Sequence, residues 1–166
     1  MLITLGLSVM MMAGLFLLLL GGVGFVQNYS FFSSAPKEVR DAVPKTKPER
    51  FKGQHALGWV IIIIAFAFMG GAMVIGAWHG IKNDYSFLQF FIRFFIMLIL
   101  LKAFDIGFFD WFLLCNAGFN FFSSFYPECK PVLGHYLFGY NWKTHLTHVI
   151  CFFPAAALLS WICTLL

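Results

Sequence analysis

Four long apolar runs, separated by polar stretches, dominate the pattern along this chain. The first extends from Leu2 to Val26 without a charged residue. The second covers Ala56 to Trp78, the third Phe87 to about Leu114, and the fourth His145 to Leu166. Each is long enough to cross about 30 Å of hydrocarbon at about 1.5 Å per residue. The third, at about 28 residues, would measure about 42 Å as a straight α-helix, so it must tilt or protrude. The first run has no positive n-region and outlasts a signal-peptide core, so it reads as a span. The pattern predicts an all-α fold, a four-transmembrane-helix bundle, with residues 1–166 as a single integral membrane domain.

The polar stretches differ in kind. Gln27 to His55 is the most polar, and Pro36, Pro44 and Pro48 argue against a continuous helix there. Cys115 to Thr144 is rich in Phe and Tyr and contains Pro127 and Pro131. Its aromatics suggest an interfacial or re-entrant segment between helices three and four. Only His79 to Ser86 separates the second and third runs. The tetrapeptide FFSS at Phe31–Ser34 recurs at Phe121–Ser124. In a chain this rich in Phe, coincidence is a stronger reading than a tandem repeat.

Composition agrees with lipid as the solvent. Hydrophobic residues make up 61% of the 166 and charged residues 11%, against about 45–50% and about 25% in soluble domains. The net charge of +4 does not change this picture. The basic residues sit between apolar runs, where they act as a topology signal and not as a phosphate-binding surface. The bilayer is therefore the expected partner, and nucleic acid is not. The first loop carries Lys37, Arg40, Lys45, Lys47, Arg50 and Lys52, whereas the turn after helix two carries Lys82 alone. The positive-inside rule then puts loops 27–55 and 115–144 in the cytoplasm and both termini outside. Gly70, Gly71, Ala72, Gly76 and Ala77 give helix two a small-residue face, a surface on which copies of the chain are expected to associate. The four cysteines, Cys115, Cys129, Cys151 and Cys163, form no C-x-x-C and read as small apolar residues.

Candidate chemistry lies mainly in the third run, which holds Arg93, Lys102, Asp105 and Asp110. An ionisable residue at mid-helix costs about 2.5–3.5 kcal/mol on the insertion scale. Such residues pair, reach an interface, or face a polar interior. Arg93, in the first two turns, is read as a structural or lipid-headgroup residue that snorkels outward. Lys102 and Asp105 are three apart and can pair. On an α-helical wheel Asp105 lies about 60° to one side of Lys102 and Asp110 about 80° to the other. Lys102, Asp105, Asp110 and Trp111 thus define a polar membrane site in the cytoplasmic half. A structural ion pair competes with a substrate, proton or ion site for these residues.

A second group follows. Glu128, His135, Tyr140, Asn141 and Lys143 are candidates at the cytoplasmic face, and His145 and His148 share a helical face at i, i+3. That spacing suits two ligands of one metal, with interfacial hydrogen bonding as the plainer reading. A b-type haem between His55 and His148 is weaker still. The sequence names no cofactor, and phosphate-loop, nucleophile-elbow and zincin motifs are absent.

The run Lys102–Leu114 (KAFDIGFFDWFLL), with FYPE at Phe125–Glu128 and GYNWK at Gly139–Lys143, resembles an uncharacterised family of small multi-pass bacterial membrane proteins. The resemblance covers the chain from about Ser34 onward. It implies a four-helix membrane fold in a bacterial cell membrane and no stated activity. Its motif positions here are Lys102, Asp105, Asp110, Trp111, Pro127, Glu128, Tyr140 and Asn141. A transporter, channel or accessory subunit with a polar site in the cytoplasmic half is the first functional expectation. A membrane-embedded enzyme acting on a lipid, quinone or isoprenoid, with or without a metal, is the alternative.

Overall fold

The computed structural model describes residues 1–32, 35–45, 47–116 and 121–166. It is all-α, with no strand among the described residues. Helix α1 (Leu2–Leu19) continues in π form over Leu20–Val26. A short α2 (Lys37–Ala42) lies between Pro36 and Pro44, and α3 spans Gln54–Lys82. Helix α4 (Phe87–Phe104) continues as a π-helix over Asp105–Leu114. A five-residue α5 (Phe121–Phe125) and two 3-10 turns, Pro127–Val132 and His135–Leu137, precede α6 (Trp142–Leu165). Four helices, Leu2–Val26, Gln54–Lys82, Phe87–Leu114 and Trp142–Leu165, are long and apolar enough to cross a membrane.

The outward surfaces of these helices explain that composition. Ile63, Phe66 and Val74 on α3, and Ile150, Phe153 and Trp161 on α6, all stand exposed. Water would penalise each such side chain, whereas lipid does not. The protein is a multi-pass membrane protein.

Two differences from the expected spans have local causes. Helix α3 continues to Lys82, where Asn83 Nδ2 donates to the His79 carbonyl at 2.7 Å. Asp84 then takes a left-handed backbone, φ 49°, and the Ser86 amide donates to Gln89 Oε1 to start α4. The second difference concerns length. A π-helix uses more residues per turn than an α-helix, so the 28-residue span Phe87–Leu114 is shorter than its straight α-helical estimate.

The described residues group into two compact units. The first comprises Met1–Leu15, Phe66–Phe104 and Trp142–Leu166. All four long helices contribute to its core: Leu7 and Met11, Ala72, the trio Phe90, Phe94 and Met97, and Ala156 with Cys163. Gly71 and Gly76 let α3 approach Met10 and Leu7, and Ala72 is fully buried. Gly71, Ala72 and Gly76 of the small-residue face thus pack inside the chain, while Gly70 has nothing within 4 Å.

The second unit comprises Phe16–Ala65 and Asp105–Asn141. Its contact between the π extension of α1 and the start of α3 depends on two glycines. A Cβ on Gly58 would stand 2.8 Å from the Val26 amide nitrogen, and one on Gly21 would stand 3.0 Å from the Gly58 carbonyl oxygen. Above this contact Gln54 Nε2 donates to the Phe25 carbonyl at 2.9 Å and to Gln27 Oε1 at 3.0 Å. Both glutamines are buried, so the bonds satisfy backbone and amide groups that water cannot reach. Glu49 caps the start of α3, accepting from the amides of His55 and Gly53. Those bonds hold its carboxyl below the usual range.

Loop 115–144 owes part of its order to the first loop. Lys47 Nζ donates to the Phe125 carbonyl at 2.7 Å, and Arg50 donates to the carbonyls of Ser124 and Phe125 at 2.9 Å. These cations occupy the C-terminal end of α5, where carbonyls lack helical partners. The two FFSS copies differ in form. Phe31 and Phe32 sit in a 3-10 turn and Phe121–Ser124 are α-helical, while Ser33 and Ser34 lie outside the described residues.

Candidate functional site

The π segment of α4 rearranges the polar residues of that helix. In an α-helix, residues five apart diverge by about 140°. Hydrogen bonds closed from i to i+5 bring them onto one side. Asp105 and Asp110 are five apart, and both line a cavity of about 90 Å3 within the second unit. The α-helical wheel, which splits them to either side of Lys102, is corrected by this winding. The Asp110 carbonyl accepts from Cys115 Sγ at 3.1 Å, which serves an acceptor near the segment's end.

The other walls are apolar. Leu19 and Val23 come from α1 and its π extension, Val39 from α2, and Phe109 and Leu114 from α4. Tyr140 also reaches in. Its hydroxyl is hydrogen-bonded to the Asp110 side chain, and its ionisation is pushed up, first by burial and then by the charges of Asp110 and Asp105. Arg40, on α2 beside buried Val39, acts in the opposite sense on Tyr140. Arg40 was counted in the sequence only as a topology charge. No periodicity marks it, because α2 is six residues long.

The cavity is a site for something small. It holds about three waters' worth of liquid volume and is well below the about 300–1,000 Å3 of drug-sized ligand pockets. Two carboxylates and a phenol can exchange a proton, bind water, or coordinate one small cation.

Lys102 and His148 lie in the first unit. Lys102 is buried in the last turn of α4, and its Nζ is 3.1 Å from His148 Nδ1. Among the described residues, no three His, Cys, Asp or Glu gather as a metal set. His145, three residues earlier, is half-buried. His55, in the second unit, has its Nδ1 3.5 Å from Glu49.

Arg93 is 4% exposed and held by protein. It donates to the Gly76 carbonyl at 2.7 Å and to the Tyr85 hydroxyl at 2.8 Å, and it lies 3.3 Å from His79 Nδ1. Its guanidinium also stacks over the Tyr85 ring. Of the two readings, the structural one describes these contacts. Trp111 is 55% exposed and does not line the cavity that Asp105 and Asp110 share. Glu128 pairs with Lys47 at 3.4 Å. His135 and Lys143 are exposed, and Asn141 is half-buried. Of the face candidates, Tyr140 alone joins the aspartates.

Comparisons with protein-family models, with curated proteins and with solved structures gave no match to this chain.

Proposed function

We propose that the protein is a small membrane transporter or channel subunit that handles protons or small monovalent cations at Asp105 and Asp110. One observation carries the reading. Two carboxylates in a membrane-spanning segment line the same cavity of about 90 Å3 because the helix is π-wound there. Carboxylates at such depth are costly, and π-helical turns in long helices concentrate at functional sites. The cavity volume favours an ion over the lipid, quinone or isoprenoid of the enzymatic alternative.

The proposal includes an orientation. Loops 27–55 and 115–144 lie in the cytoplasm and both termini outside, on the strength of six basic residues against Lys82. The sequence resemblance adds a bacterial cell membrane as the location.

Purified protein in liposomes loaded with a pH- or potassium-sensitive dye tests the reading. Under an imposed potential, flux above protein-free liposomes is expected for protons or for one alkali cation. Flux equal to that of empty liposomes for every ion would refute it.

A further inference from the structure

A second cavity, of about 170 Å3, opens in the second unit and is lined by Val26, Gln27, Asn28, Lys45, Lys47 and His55. Its polar lining is dominated by donors. Gln27 is 2% exposed, and its Oε1 is taken by Gln54 Nε2. Its Nε2 is buried with no hydrogen-bond partner among the described residues. Asn28 uses its Oδ1 on the amide and hydroxyl of Ser30, so its NH2 is what remains to offer. His55 Nδ1 faces Glu49, and its Nε2 is likewise buried without a partner. Lys45 and Lys47 add two ammonium groups, with Lys47 also bound to the Phe125 carbonyl and Glu128.

A buried amide donor is costly to leave without an acceptor, so the cavity calls for one. The acceptor must be anionic, because two lysines converge on it. It must be compact, because the space equals about five or six waters. The place in the fold narrows the choice. Gln27 directly follows the first span, and His55 is the second residue of α3. Both positions stand at the ends of candidate membrane spans, which is where a span meets lipid headgroups.

We propose that this cavity binds a phosphate group, that of an anionic phospholipid headgroup. The site is independent of the aspartate cavity and stands whether or not ions move there. Inorganic phosphate shares the recognised chemistry, so the test must separate the two sources.

The delipidated protein in detergent is titrated with phosphatidylglycerol, diacylglycerol and inorganic phosphate at matched ionic strength. Retained lipid is read by native mass spectrometry, and phosphate binding by competition and thermal shift. Three variants are compared. Lys45→Gln alters an exposed side chain and is expected to fold normally. Gln27→Glu replaces the orphan donor with an anionic oxygen. Lys52→Gln removes the same charge outside the cavity lining. Wild type is expected to retain one phosphatidylglycerol and no diacylglycerol. Lys45→Gln should weaken retention about fivefold, the worth of one lysine near an anionic surface. Gln27→Glu should weaken it at least as much, and Lys52→Gln should leave it unchanged. Binding of inorganic phosphate without phosphatidylglycerol, lost in Lys45→Gln, supports the phosphate site but overturns the lipid source. Equal losses in Lys45→Gln and Lys52→Gln, unchanged binding in Lys45→Gln, or no binding of either probe by wild type would overturn the proposal.

Discussion

Asp105 and Asp110 line one cavity although they are five residues apart on a membrane-spanning helix. That relationship depends on helix type. The same sequence wound with i→i+4 bonds throughout would turn one carboxylate away from the other. The π segment begins at Asp105 itself, directly after the α-helix ends at Phe104. Stacked rings brace it: Phe108 lies on Phe112 at 5.5 Å and meets Phe16 edge-on at 6.0 Å.

Arg93 is expected to matter for stability more than for transport. Its guanidinium ties the Gly76 carbonyl on α3 to Tyr85 at the start of the turn into α4. Arg93→Ala should destabilise the protein by about 1.5–3 kcal/mol, the range for bonds to a charged group. Arg93→Lys should recover only part of this, since an ammonium cannot reproduce a planar fork. Unfolding in mixed micelles reads both. A wild-type midpoint for Arg93→Ala would contradict the assignment.

The glycines of α3 should separate sharply. A Cβ at Gly58 would meet the Val26 amide nitrogen at 2.8 Å, and backbone there cannot easily shift. Gly58→Ala should cost about 1–3 kcal/mol. Gly70 has nothing within 4 Å, and Gly70→Ala should be neutral or stabilising by up to about 1 kcal/mol through helix propensity. Equal effects at the two positions would argue against the α1–α3 contact.

Acidification should weaken the start of α3. Glu49 has a folded pKa below its ordinary value of 4.5, chiefly because the amides of His55 and Gly53 donate to it. A depressed carboxyl pKa stabilises the fold above the ordinary value, and that contribution disappears as pH falls through the lowered one. Hydrogen exchange of the His55 and Gly53 amides should therefore accelerate on descending from pH 5 through that window, beyond the intrinsic trend. Glu49→Gln should lose this step. A step of the same size in the variant would sink the explanation.

Cys129 should be chemically quiet. It is fully buried, and burial pushes its thiol up to about 11. The thiolate is the reactive form, so maleimide at pH 7.5 should modify Cys129 only after unfolding. Rapid labelling of Cys129 in the native protein would show that the 115–144 loop opens.

The sequence announces the spans because lipid solvation needs long uninterrupted apolar runs. Leu2–Val26 and Phe87–Leu114 coincide with their expected limits. It also marks Asp105, Asp110 and Tyr140, since polar groups in or beside such runs are rare. Their convergence is hidden. An α-helical wheel assumes one winding, and nothing in DIGFFDWFLL declares another. Arg40 and Gln27 were hidden for a different reason. They sit in a loop without periodicity, and only tertiary packing brings Gln27 to a cavity and Arg40 within electrostatic reach of Tyr140. The neighbour of His148 was hidden as well: spacing at i, i+3 pairs it with His145, and only packing brings Lys102 of another helix to 3.1 Å from its Nδ1.

Ion flux in proteoliposomes containing wild type, Asp105→Asn, Asp110→Asn and the double variant tests the central claim most directly. If the two carboxylates act as one site, each single change should reduce flux at least about tenfold, and the double should lose little more than the worse single. Wild-type flux in both single variants, with folding intact, would contradict the account.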